Sequence, residues 1–134
     1  DRFQKTAYVP WTSDLCEWRR KNQLGKNVYM ELGSTFGMMV VSSPVLAAHV
    51  LGMIIQAFGE DHVLWGTDSV WYGSPQDQIQ AFRAFQIPAE LRERHGYVEI
   101  TPALRASSFI RIPAASSILS TAKRSAAASG FIEA

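Results

Sequence analysis

Two kinds of apolar pattern alternate along the chain. Residues 28–32, Val-Tyr-Met-Glu-Leu, repeat with period two and are rich in strand formers, which predicts a strand. Residues 63–65 form a short apolar run between Gly59 and Gly66 and predict a second, buried strand. Residues 33–37, Gly-Ser-Thr-Phe-Gly, read as the loop leaving the first strand. Elsewhere the signals are helical. Residues 13–21 carry Asp14 and Glu17 in the first turn and Arg19, Arg20 and Lys21 in the last, as the helix dipole prefers. Ser43-Pro44 opens a helix expected to reach Phe58, with the serine hydroxyl as N-cap and Gly59 as a left-handed stop. That helix is apolar nearly all round, so it is expected to be covered on more than one side. Ser74-Pro75 starts a further helix to about Phe85, Pro88 a short one closed by His95-Gly96, and Thr101-Pro102 repeats the start signal.

The order helix, strand, helix, strand, helix predicts an α/β fold with a parallel sheet. Two strands do not make a stable sheet by themselves, so further strands are expected before Asp1 or from a partner. Composition narrows the field. At 134 residues the chain has room for one modest domain, and 47% apolar with 19% charged residues is ordinary for a globular chain. A formal net charge of +1, with no basic run beyond Arg19-Arg20-Lys21, argues against a nucleic-acid partner. Cys16 is the only cysteine, which rules out an internal disulfide and a cysteine-rich metal knot. Residues 37–58 approach a membrane span in length, but Ser42-Ser43-Pro44 breaks them and His49 and Gln56 interrupt them, so no membrane partner is expected. The sequence leaves the compartment unknown, with a cytoplasmic location favoured. Residues 1–105 read as one folded unit. Ala and Ser fill half of residues 105–134, and residues 106–134 read as a weakly ordered, low-complexity tail.

The chemistry concentrates at Gly66-Thr67-Asp68, where a buried apolar run stops abruptly. Parallel α/β folds place their reacting groups just past the C-terminal ends of strands, which makes Asp68 the first candidate; capping of the next turn is the plain alternative. Three histidines are read as structural: His49 packed in mid-helix, His62 at the wrong end of its strand, and His95 beside a helix C-terminus where a cation is favourable.

The string Asn27-Val28-Tyr29-Met30-Glu31-Leu32-Gly33-Ser34-Thr35-Phe36 resembles the seventh strand of amidohydrolase-related proteins, metal-dependent hydrolases with a TIM-barrel fold. Residues 59–68 are similar to their passage into the eighth strand. The segment from Gly66 to Gln76, with Ser69-Val70-Trp71-Tyr72-Gly73-Ser74-Pro75, resembles the loop that follows it in one subgroup. The resemblance runs from about Trp11 to Arg105. It implies the C-terminal fragment of a (β/α)8 barrel, about strands seven and eight with their helices. It also implies a small-molecule substrate and a divalent metal, zinc for preference. In that family the carboxylate matching Asp68 is a metal ligand, a general base, or both. Glu31, Ser34, Trp71 and Tyr72 are the accompanying pocket candidates, each with a rim or packing role as its alternative. The reactions implied are hydrolysis of C–N or C–O bonds or decarboxylation of aromatic acids.

The family's histidine ligands have no counterpart in this sequence, so the metal site is expected to be incomplete and the chain inactive alone, with homo-oligomerisation allowed. The family's closing Asn-x-x-Arg-Leu-Phe/Tyr helix is also missing. A one-nucleotide shift over residues 109–120 restores that pattern under suitable codons, which makes out-of-frame translation from about Ser107 an expectation and a genuine Ala/Ser tail its alternative. A different class of function, a non-enzymatic interaction module docking through the helix 44–58, is the competing expectation.

Overall fold

The computed structural model describes residues 5–22 and 27–108. In chain order the elements are α1 (Thr12–Asn22), β1 (Met30–Glu31), α2 (Gly33–Ser42), α3 (Pro44–Phe58), a 3-10 turn (Glu60–His62), β2 (Val63–Leu64), α4 (Ser69–Tyr72), α5 (Gln76–Ala84), α6 (Ala89–His95) and α7 (Pro102–Ser108). The first residues of the expected low-complexity tail, 106–108, belong to α7; the rest of it, from residue 109, and the frame-slip expectation over residues 109–120 lie outside the described residues.

Helix α3 is the spine of the core. Residues 47–55 are all buried, and Phe58 joins them at the end. An element apolar on every face must be covered on every face. Helices α1, α2 and α6 and strand β2 pack against it. The core is completed by Cys16, Leu32, Phe36, Val63, Phe82, Phe85, Ile87, Tyr97, Ile100 and Leu104. Phe36 lies edge-on to both Phe82 and Phe85, with ring centroids 5.3 and 5.2 Å away, a geometry that favours aromatic quadrupoles. The helix 44–58, on which a docking face was expected, is buried from Ala47 to Ile55 and exposed at Val45 in its first turn.

The α/β barrel expectation is not met. Among the described residues 67% are helical, and the one sheet is a parallel pair of two-residue strands, so the fold is α-rich and does not look like a TIM-barrel fragment. The register pairs Met30 with Val63 and Glu31 with Leu64, and the Leu32 amide donates to the Leu64 carbonyl at 3.0 Å. Two features account for the difference. Val28 and Tyr29 alternate correctly but are exposed and pair with nothing in the sheet, so the predicted strand shrinks to its last positions. Residues 33–37, expected as a loop, instead begin a ten-residue helix. A barrel strand needs a neighbour on each side, and no third strand stands beside this pair among the described residues.

The helix boundaries follow the punctuation more closely. The segments around 13–21, 75–85 and 88–95 are helical to within a residue or two. Gly59 has the expected positive φ (88°), but its ψ of 154° is not that of a left-handed cap, and the Ser43 hydroxyl makes no capping bond. Thr101 does cap: its Oγ1 accepts the Leu104 amide at 3.1 Å. Among the described residues no helix is long and apolar enough to cross a membrane.

Candidate functional site

Both strands end in a carboxylate-bearing turn on the same side of the sheet. Glu31 is the last residue of β1, and Asp68 follows β2 after Trp65-Gly66-Thr67. Between them begins α2, whose residues Gly33-Ser34-Thr35-Phe36-Gly37-Met38-Met39-Val40-Val41-Ser42 are poor helix formers apart from the two methionines. Its N-terminus has no cap from its own preceding residue, since Leu32 offers no side-chain acceptor. The two carboxylates supply what is missing. Glu31 Oε1 accepts the Gly33 amide at 2.8 Å, and Asp68 Oδ2 accepts the Ser34 amide at 2.7 Å. Two of the four orphan amides of a helix N-terminus are thereby satisfied by anions, where the helix dipole favours negative charge.

Asp68 receives a second bond. The Ser34 hydroxyl donates to the same Oδ2 at 2.6 Å. The hydroxyl bond first, then the amide bond, stabilise the ionised form and hold this carboxyl below the usual carboxylate range. Asp68 is therefore an anion throughout the neutral range. Its backbone is left-handed (φ 50°, ψ 25°), a conformation that aspartate tolerates better than most residues. That turn sends the chain into α4, where the Trp71 amide donates to the Asp68 carbonyl at 3.0 Å.

Gly33 makes the arrangement feasible. A Cβ there would lie 2.5 Å from Asp68 Oδ2 and 2.6 Å from Glu31 Oε2, so the two carboxylates face each other across the space a side chain would fill. Gly66 plays the same part from below, because a Cβ on it would sit 2.8 Å from Glu31 Oε1. These two glycines were absent from the sequence-derived candidates. Their signal was available: each stands just past the end of a predicted strand, and the parallel register sets them on the same rim.

Of the predicted site residues, the structure brings together Asp68, Ser34 and Glu31. Trp71 lies in α4 and is 80% exposed, beside the equally open Val70. Tyr72 ends the same short helix. The histidines are elsewhere. His49 is buried and bonded to the Ala7 carbonyl and to Tyr97, His62 stacks on Tyr29 at 5.0 Å, and His95 stacks on Tyr97 at 5.2 Å. Among the described residues no group of three or more His, Cys, Asp or Glu side chains is placed to hold a metal. Two carboxylates, each already accepting an amide, are a partial donor set, and the residues present do not fit a complete metal centre.

Removing the Ser34 hydroxyl separates its contribution from that of the amide. In Ser34→Ala, Asp68 keeps the amide bond and loses the hydroxyl bond, so its carboxyl is expected to titrate at higher pH than in the parent, as read by carbon-detected NMR of the side chain. A depressed carboxyl stabilises the fold above its ordinary value and loses that effect as pH falls through the folded value. Parent and variant are therefore both expected to lose this stabilisation from the ordinary carboxyl value downward, and in the variant the loss is smaller and is complete at a higher pH. An unmoved Asp68 titration would assign the whole effect to the backbone amide.

No family model, curated protein or solved structure matches this chain.

Proposed function

We propose that this chain supplies the carboxylate corner of a hydrolytic or decarboxylating site in a metal-dependent, amidohydrolase-related enzyme, and that it is inactive by itself. The observation that carries the reading is the placement of Asp68: an ionised carboxylate in a left-handed turn past a parallel strand, fixed by two donors from Ser34 and faced by Glu31. Ser34 orients this carboxylate and holds it deprotonated. Glu31 adds a second negative charge to the rim. Gly33 and Gly66 let both approach the backbone.

A carboxylate with a depressed pKa is a weak base, and it takes a proton efficiently only from an acidified donor. A divalent metal, the class the sequence resemblance implies, would supply that acidity by lowering the pKa of bound water, with Asp68 and Glu31 as its partial donor set. The chain's own contribution is to present an oriented anion that needs no reorganisation when a proton moves.

Two measurements bear on the reading. Calorimetric titration of the 134-residue chain with zinc is expected to give no tight, stoichiometric binding, and tight binding abolished by Asp68→Asn would overturn the inactivity of the chain alone. In the protein as expressed from its own gene, turnover of ester, lactone, amide or aromatic-acid substrates is expected to fall at least about a hundredfold in Asp68→Asn. Unchanged turnover there would remove Asp68 from the chemistry and leave it as the cap of α2.

A further inference from the structure

Helix α1 carries an apolar stripe on its outer face. Leu15 and Trp18, three residues apart, share one side of the helix. Trp11 stands at the head of the same side, and its carbonyl accepts the Leu15 amide at 2.9 Å. Trp11 is 88% exposed, Trp18 44%, and Leu15 is exposed between them. The other side of α1 faces the core, where Cys16 is fully buried and its thiol donates to the Met53 carbonyl of α3. The helix therefore docks on the spine by one side and presents two tryptophans and a leucine on the other. Large amphipathic rings of this kind dominate protein interfaces once a second surface desolvates them.

The charges beside the stripe match those of a second copy. Asp14 and Lys21 lie two turns apart on one flank of the helix, the first near its start and the second near its end. A two-fold axis across α1 sets it antiparallel to its copy. Leu15 of one copy then meets Trp18 of the other, and Asp14 of one faces Lys21 of the other, each contact occurring twice. A parallel pairing would instead oppose Asp14 to Asp14 and Lys21 to Lys21. Antiparallel packing also lays the positive end of each helix dipole beside the negative end of the other. The Tyr8 hydroxyl donates to Asp14 at 2.7 Å and fixes its carboxylate beside the stripe. Lys21 pairs with Glu17 at 2.6 Å, with side chains 71% and 58% exposed, so its ammonium stays open to a further acceptor. An open groove along this flank, bordered by Asp14, Trp18 and Lys21, receives side chains of the second copy.

A lipid surface fits the stripe less well. Tryptophan and lysine on one face also suit an anionic bilayer, but Asp14 and Glu17 add negative charge that such a surface repels. The size of the contact sets its strength. Eleven residues of helix are roughly 16 Å long, which is shorter than a standard interface requires and makes the association weak.

We propose that the chain pairs with a second copy of itself through the outer face of α1, the two helices antiparallel about a two-fold axis. Trp11, Leu15 and Trp18 fill the contact, and Asp14 and Lys21 pair across it. The pairing rests on α1 alone and is independent of the role given to Asp68.

Analytical ultracentrifugation of the 134-residue chain, from about 5 μM to about 1 mM at low salt, tests this. The chain is expected to pass from one copy to two, half associated on the order of 100 μM, as a small contact gives. Asp14→Lys and Lys21→Asp, each alone, oppose like charges across the axis and are each expected to weaken pairing about tenfold. Mixed in equal amounts, the two variants restore both charge pairs, and the mixed dimer is expected to form about as tightly as the parent's. Should either charge variant lose its fold by circular dichroism, Trp11→Ala serves, because that residue is almost wholly outside the core; it is expected to weaken pairing at least about fivefold. A chain still monomeric at about 1 mM overturns the pairing. So does a dimer that neither charge variant weakens, a mixture no tighter than its components, or a dimer that Trp11→Ala leaves unchanged. A chain that stays monomeric but binds phosphatidylserine vesicles would overturn it in favour of a lipid surface.

Discussion

Replacing Arg105 with methionine is expected to destabilise the protein by about 2–3 kcal/mol and to lower its Tm by on the order of 10 °C. The guanidinium of Arg105, on α7, donates to the carbonyls of Phe82 and Phe85 and, at 3.5 Å, to that of Ile100. Phe82 lies in the last turn of α5 and Phe85 is its C-cap, so a fixed cation satisfies carbonyls that the helix leaves without partners, at the negative end of its dipole. The same group lies 5.8 Å over the Phe82 ring. Methionine keeps the apolar stem and removes every donor, leaving part-buried carbonyls exposed to no replacement. Lysine is expected to recover only part of the loss, because a compact ammonium does not span carbonyls from two segments as a planar fork does. Urea melts of the two variants check both statements; a Met variant within about 0.5 kcal/mol of the parent would mean that water replaces the guanidinium freely.

Gly52→Ala is expected to cost about 2 kcal/mol, against the usual trend for a helix interior, where alanine gains up to about 1 kcal/mol over glycine. A Cβ at Gly52 would lie 2.4 Å from Tyr97 Cδ2 and 2.5 Å from its Cγ. The ring has nowhere to retreat: it is buried, stacked on His95, and tied through its hydroxyl to His49. Displacing it breaks the bond to Nδ1 and admits water, so the His49 titration is expected to move up toward its ordinary range in the same variant. Chemical denaturation measures the first effect and imidazole NMR the second. Gly37→Ala is the control. There the atoms nearest the Cβ belong to the end of the Gln78 side chain, at 3.1–3.3 Å, and the ordinary helix gain of roughly 0.5 kcal/mol is expected to survive. A neutral Gly52→Ala would show that the Tyr97 ring shifts without losing its partners.

The candidate site was legible in part. Asp68 stood out because a buried apolar run stops at Gly-Thr-Asp, and Glu31 and Ser34 because they close the other strand. Their roles were not legible. That Asp68 accepts both Ser34 donors depends on the register of β1 against β2, which brings together residues 34 positions apart. Gly33 reads locally as a loop residue; its function is to leave room for two carboxylates from different segments. Arg105 gave no signal at all, because its partners are backbone carbonyls about twenty residues upstream, and any sequence has those.

Helix α2 shows where local reading fails. Gly-Ser-Thr-Phe-Gly has weak helix propensity and no capping residue before it, so pattern alone makes it a loop. It is helical because anions on β1 and after β2 bind its first amides and because Phe36 enters the core between Phe82 and Phe85. Helix α3 shows the opposite case: its continuous apolar run and its flanking Pro44 and Gly59 dictate both its extent and its burial, whatever surrounds it.

By itself, the sequence determined the local elements whose causes are local: the helices bounded by Pro and Gly, the apolar spine, and the two short strand ends with their carboxylates. The tertiary structure alone decided that those strands stop at two residues, that α2 is a helix, that the chain is α-rich rather than a piece of a barrel, and that Asp68, Ser34 and Glu31 share one rim. The reason is physical. Backbone punctuation acts within a few residues, whereas a cap supplied in trans, a ring lodged against a distant glycine, and the pairing of sheet edges are contacts between segments that no local period encodes.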